Sequence, residues 1–320
     1  MGKGRDKKGA KMTEIRCSPH IHSRETTKSI MWSVIIALLP ATFGSIYFFG
    51  PDALKLIIVC ILSCYIGEVV SNLIFRRKLK SFDGSEVVTG LLLAFVLPPS
   101  FPLWMAGIGG FLAIFLVKEL FGGIGFNIFN PALAARAILT VAYPLEMTQF
   151  TAPLSYRVDA ITTATPLGIL KEGLGETLPS LWQMFIGNRA GCLGETSILL
   201  LLIGAIFLLY RRIITWHIPL SYILTVAVIT AVVGQNPLFH ILAGGLVLGA
   251  FFMATDYVTS PITPKGKIIF GIGCGIITSL IRLKGSYPEG VAYSIIFMNM
   301  FVPLIDKYTM PKKFGYVKKI

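Results

Sequence analysis

The run Asp159-Ala-Ile-Thr162-Thr163-Ala164-Thr165-Pro166 places a carboxylate and three hydroxyls in the longest polar gap of an otherwise apolar chain. A threonine hydroxyl can carry a phosphoester, which changes its bulk and charge. A second run, Lys118-Glu119-Leu-Phe-Gly122-Gly123-Ile-Gly125-Phe-Asn127-Ile-Phe-Asn130-Pro131, carries two carboxamides. Carboxamides donate and accept hydrogen bonds, so Asn127 and Asn130 suit a neutral heterocycle with imide groups without burying charge. Three residues apart, they are expected to share one helical face. Gly122 and Gly123 allow close backbone approach and positive φ. The same asparagines suit an N-cap and a helix–helix hydrogen bond, with Pro131 in the first helical turn. The residues alone leave both readings open.

A third set is acidic. Glu86, Glu119 and Asp256 lie at or near the ends of apolar runs, together with Glu68, Arg136 and Glu195. Ionisable groups are costly in lipid and default to a functional or pairing role. Glu86, Asp256 and Glu119 are therefore candidates for a cation route, and helix capping or pairing with nearby Lys and Arg is the simpler alternative. No metal site is expected. The five cysteines form no Cys-x-x-Cys pair, and His20-x-His22 offers too few ligands. No catalytic side chain stands out, and no Gly-x-Gly-x-x-Gly follows a strand.

The elements that position these residues are read from composition. The chain has 320 residues, 54% hydrophobic and 14% charged, with mean hydropathy +0.73. A soluble domain carries roughly 25% charged residues, so lipid is the solvent for much of this surface. Apolar runs are expected as helices at about 30–49, 53–75, 86–98, 103–120, 131–144, 194–210, 216–234, 238–254, 266–282 and 290–305. The fold class expected is an all-α polytopic membrane protein of about ten transmembrane helices in two inverted five-helix repeats. Its parts are a basic cytoplasmic arm (1–29), a first repeat (30–144), an extracytoplasmic loop (145–193), a second repeat (194–305) and a cytoplasmic tail (306–320). The repeat is suggested by paired short runs, 89–99 with 244–254. It is also suggested by Asn-Pro-type segments in the fifth and tenth runs, Phe126–Pro131 and Phe297–Pro303.

The net charge of +13 falls at the ends of these runs, which points to topology and lipid contact rather than nucleic acid. With the amino terminus inside, 22 of the 29 Lys and Arg are cytoplasmic, Lys118 among them; six lie outside and Arg136 sits within a helix. Both termini are then cytoplasmic and the Thr165 loop is extracytoplasmic. The basic arm lacks the pattern of a cleaved leader, so the first helix is expected to be retained.

Five segments occur in order: Ser18-Pro-His-Ile-His-Ser23, Gly122 to Ala132, Asp159 to Pro166, Gly191-Cys-Leu-Gly-Glu-Thr-Ser197 and Ala250 to Pro261. Together they resemble the family of membrane proteins known as RnfD in the Rnf complex and as NqrB in the sodium-pumping NADH:quinone reductase. The resemblance implies a subunit in the bacterial inner membrane. It implies electron exchange between ferredoxin and NAD coupled to Na⁺ or H⁺ movement, with the A, B, C, E and G components of the Rnf complex as partners. It implies FMN attached covalently to Thr165 by a flavin transferase, within a motif that includes Asp159 and Thr162. It also implies non-covalent riboflavin at Gly122, Gly123, Asn127 and Asn130. Thr163 stands where the family pattern has glycine, and only Thr165 directly follows the alanine. The helix layout alone also fits a five-plus-five solute transporter or channel without a redox cofactor.

Overall fold

The computed structural model describes residues 25–77, 83–154, 163–172, 178–285 and 289–311. Among these, helices form and strands do not. The first half comprises α1 (Thr27–Phe49), α2 (Pro51–Ile74), α3 (Ser85–Phe95), α4 (Leu103–Ile114) and α5 (Pro131–Ala142); α4 runs on into a π-turn at Phe115–Glu119. Short helices α6 (Pro144–Thr148), α7 (Pro166–Glu172) and α8 (Leu181–Ile186) occupy the connection between halves. The second half comprises α9 (Ile198–Tyr210), α10 (His217–Val232), α11 (Pro237–Leu242), α12 (Leu246–Leu248), α13 (Pro264–Lys284) and α14 (Val291–Thr309). A second π-turn, Gly249–Met253, continues α12.

Among the described residues, α1, α2 and α13 are long and apolar enough to cross a membrane. Their outward faces are apolar. On α1, Trp32, Ile36, Leu39, Phe43 and Tyr47 are exposed at spacings of three and four, which places one helical stripe toward the solvent. A soluble helix puts polar residues on that face; here the solvent side is greasy, as lipid contact requires.

Two expected runs are interrupted. The third ends at Phe95 rather than at 98, and 11 residues span only about 16 Å, short of a hydrocarbon core of about 30 Å. The eighth breaks between Leu242 and Leu246. Two buried arginines hold the carbonyls freed there: Arg282 Nη1 and Nη2 donate to the His240 (2.6 Å) and Ala243 (3.0 Å) carbonyls. Arg189 donates to the Leu242 carbonyl. A cation at a helix C-terminus meets the orphan carbonyls and the dipole together.

Within each half the second helix packs along the fourth, α2 on α4 and α10 on α13. Both contacts use a glycine where backbones approach. A Cβ on Gly110 would run into Ser63 and the Cys60 carbonyl; one on Gly271 would run into Ser221 and the Ile218 carbonyl. Small residues at the crossing allow the close van der Waals packing that holds helices together in lipid. The halves meet where α1 packs on α9 and α5 on α14.

Candidate functional site

Asn130 begins α5 as its N-cap, with Oδ1 accepting from the Ala132 (3.1 Å) and Leu133 (3.3 Å) amides. Its Nδ2 donates across the half-to-half boundary to the Met253 carbonyl at 3.3 Å. The Asn299 carboxamide on α14, oriented to satisfy its neighbours, accepts from the Asn130 amide (3.2 Å) and donates to the Ile295 and Thr259 carbonyls. The two asparagines singled out in the fifth and tenth runs therefore touch. Asn127 does not share a helical face with Asn130, contrary to expectation: it lies in the loop before α5. The reason is local, because Gly122, Gly123 and Gly125 all take positive φ, which no helix continues. Asn127 Nδ2 donates to the Phe129 carbonyl at 3.1 Å, and the side chain faces a cavity.

That cavity holds about 800 Å³ of empty space, its mouth included, and is walled by α1, α3, the start of α5 and the 251–258 segment. Asn127, Asn130, Lys118, Ser85 and Asp256 line it among apolar neighbours such as Leu92, Leu208, Ile214 and Phe252. An apolar cleft with a few converging polar groups is the usual form of a small-molecule site. Both π-turns contribute, the first through Lys118 and the second through Phe251 and Phe252. Such turns are frequent at functional sites. Gly122 and Gly123 are not on its wall. Their amides instead close the end of the turn, donating to the Glu119 and Lys118 carbonyls at 3.1 Å each.

The acidic candidates separate. Glu119 is buried and pairs with Arg77 at 2.9 Å. Asp256 reaches the cavity and accepts from Thr259 Oγ1 at 3.0 Å. Glu86 is 2% exposed in the first turn of α3, and its Oε2 is a buried oxygen with no hydrogen-bond partner. Lys118, counted from the sequence among the cytoplasmic bases, is 4% exposed. Its Nζ bonds Glu68 Oε2 at 2.9 Å and Ser85 Oγ at 2.7 Å.

A second polar cluster lies along the later turns of α5. Arg136 pairs with Glu289 and approaches Glu195 Oε1 at 3.7 Å. Cys192, Glu195 and Glu289 bring three ligand-type atoms within 4.8 Å of one another. Arg136 pairs with both carboxylates, so the group is an ion-pair network, with Arg189 and Arg282 alongside. Burial pushes the Arg189 guanidinium down to about 10, still protonated at neutral pH. Sequence reasoning picks out Arg136 and Glu195 but misses Glu289 and Arg189. A cation within a span signals a partner, but not which of the distant acids supplies it. A cleft with about 510 Å³ of empty space, its open mouth included, lies here, lined by Arg136, Thr140, Phe150, Glu289 and Tyr293.

The Asp159–Thr165 motif is described from Thr163 onward; Asp159 and Thr162 lie outside the described residues. The Thr163 amide donates to the Phe150 carbonyl at 3.0 Å, and Phe150 packs with Ala190 and Cys192. Thr163 Oγ1 is buried without a hydrogen-bond partner. Thr165 is 6% exposed and leads into α7. Its Oγ1 accepts from the Gly168 amide at 3.2 Å. The hydroxyl thus acts as an acceptor there, a bond its oxygen can keep after its hydrogen is replaced.

Comparison with known proteins accords with this arrangement. The model of the NQR2, RnfD, RnfE family matches residues 14–315. The chain is 48% identical over 307 residues to the D component of the Na⁺-translocating ferredoxin:NAD⁺ oxidoreductase complex of Acetobacterium woodii, covering 95% of this chain and 96% of that one. It is 48% identical over 316 residues to the D component of the proton-translocating ferredoxin:NAD⁺ oxidoreductase complex of Clostridium ljungdahlii, covering 94% and 96%. It is 40% identical over 329 residues to the D component of the ion-translocating oxidoreductase complex of Stutzerimonas stutzeri, covering 91% and 93%. The chain belongs to the NQR2, RnfD, RnfE family.

Proposed function

We propose that this chain is the flavin-carrying membrane subunit of an ion-translocating ferredoxin:NAD⁺ oxidoreductase complex. The observation that carries the reading is the cavity at the start of α5, where Asn127 turns a carboxamide into an apolar cleft. Riboflavin, which carries no phosphate, suits such a site because no dianion has to be desolvated there. Asn127 would address its imide edge, and Asn130 and the glycine loop would hold Asn127 and Lys118 in place. Thr165 would carry FMN through its hydroxyl oxygen, the Gly168 amide keeping that oxygen positioned. A flavin supplies one- and two-electron chemistry that side chains do not.

The chain is read as ten spans in two inverted halves, α1–α5 and α9–α14. The matched packing of second on fourth helices and the contact between Asn130 and Asn299 support that reading. The distribution of Lys and Arg supports an internal amino terminus and an external Thr165 loop. The two flavin positions then fall toward opposite faces of the membrane, as an electron path across it needs. Glu86 and Asp256 are the candidates for the coupled cation's route. Glu119 is the weaker candidate, since Arg77 already neutralises it. Other subunits of the complex supply the NAD and ferredoxin sites, and a flavin transferase matures the chain.

The test is direct. The chain is co-expressed with a flavin transferase and run on a denaturing gel under ultraviolet light. A fluorescent band that persists in Thr163→Ala and vanishes in Thr165→Ala supports the assignment. A dark wild-type band sinks it and favours a transporter without a redox cofactor.

A further inference from the structure

Among the described residues, the carboxylates beside Lys118 outnumber the cations that face them. Glu119 has Arg77 as its own partner at 2.9 Å. Lys118, which also lies 3.9 Å from Glu119 Oε1, is then the one ammonium among the described residues for Glu68 and Glu86. It bonds Glu68 Oε2 at 2.9 Å and the Ser85 hydroxyl at 2.7 Å. Glu86 stands against Glu68, is 2% exposed, and keeps Oε2 buried without a hydrogen-bond partner. The buried Glu86 and the partly buried Glu68 beside one base leave a single negative charge to be met among the described residues. Burying an unmet charge is costly, so one more positive charge belongs here. The oxygens of Glu86, Glu68 and Ser85 are the ligand type that hard cations prefer.

Lys118 also borders the space it could move into. It sits on a π-turn, and its side chain lines the cavity that Asp256 and Asn127 share. Its tether is a flexible four-carbon stem rather than a rigid fork. We infer that Lys118 is a resident competitor for the transported monovalent cation. It holds Glu68 beside the open Glu86 oxygen, weakens cation binding there, and moves toward the cavity when a cation enters. This rests on the reading of Glu86 as part of the ion route. The other groups facing the site are Cys64 on α2, Arg77, Glu119, and Asp83, which accepts from the Ser85 amide. None of them changes in the comparison below.

The experiment uses the full chain in detergent. Sodium replaces potassium at constant ionic strength, and the thermal unfolding midpoint reports cation binding. A parallel arm without sodium varies pH and reads proton binding. In Lys118→Met the midpoint for whichever cation is bound is expected at a concentration about tenfold lower or less, the usual reach of a neighbouring opposite charge. Lys118→Arg, which keeps the charge, is expected within about twofold of wild type on the same scale. Tighter binding on removal is what competition for the Glu68 and Glu86 oxygens requires. Unchanged or weaker binding in Lys118→Met therefore overturns the inference, as does a wild-type chain that responds to neither cation. Should Lys118→Met fail to fold, Glu86→Gln, which balances one acid against one base, is expected to weaken binding about tenfold or more; no change overturns the inference equally. The ultraviolet gel reads the flavin assignment separately. Pumping by the assembled complex carrying Glu86→Gln reads the route itself, so each reading fails on its own measurement.

Discussion

Truncating Asn127 and Asn130 to alanine separates binding from scaffolding. Asn130 has committed its carboxamide: Oδ1 caps α5 through two amides and Nδ2 reaches the Met253 carbonyl. Loss of an N-cap costs about 1 kcal/mol. Loss of the buried bond to Met253 costs about 1 kcal/mol more, so Asn130→Ala is expected to destabilise by about 2 kcal/mol. At roughly 2–3 °C per kcal/mol for a chain of this size, Tm falls by roughly 4–6 °C. Asn130→Ser keeps a cap and loses the reach to Met253, so about half of that drop returns. Asn127 makes one local bond, to Phe129, worth about 0.5 kcal/mol, and Tm falls by roughly 1 °C. On the proposed function its loss would also remove a hydrogen bond to riboflavin, a roughly tenfold fall in affinity. The assay is intrinsic fluorescence on heating, paired with flavin released by acid precipitation, which leaves covalent flavin in the pellet. Equal Tm losses in the two alanine variants, or full retention of acid-released flavin in Asn127→Ala, would refute the division of labour.

Two further substitutions probe the frame. Gly123→Ala forces a side chain into φ +94° and sets its Cβ 3.3 Å from both Glu119 carboxylate oxygens, costing about 1–3 kcal/mol. Gly107→Ala, with only Val59 at 3.8 Å, is the neutral control, and similar Tm values for the two would show the loop is not strained. Arg136→Gln strands Glu289 and Glu195 and is expected to cost about 3–5 kcal/mol. Adding Glu289→Gln restores much of the loss if the pairing is what matters, and an equally unstable double variant argues that it is not.

The helices are legible because each apolar run carries its own stop signals. Asn130-Pro131 marks the start of α5 as plainly in sequence as in structure, since a capping side chain and a proline at the first turn act locally. What stays hidden is held by partners far along the chain. The break after α11 depends on Arg189 and Arg282, which capture carbonyls some 39 to 53 residues away. Spacing alone puts Asn127 on a helix because it ignores the three positive-φ glycines before it. Lys118 is the sharpest case. A count of positive residues by loop assigns each lysine a side of the membrane and says nothing of its burial. Lys118 lies buried beside Glu68, 50 residues earlier in the chain. In sequence the acids near it are isolated candidates, whereas the structure sorts them by whether a cation already answers them. Arg77 answers Glu119, Lys118 answers Glu68, and the Glu86 oxygen is left over. An acid whose charge is met by a fixed arginine has little to offer a passing ion. On the proposed ion route, one that shares a buried lysine with its neighbour would hold a place that a cation can fill and leave. That difference is set by long-range pairing, and it ranks Glu86 above Glu119 as a candidate for the proposed ion route.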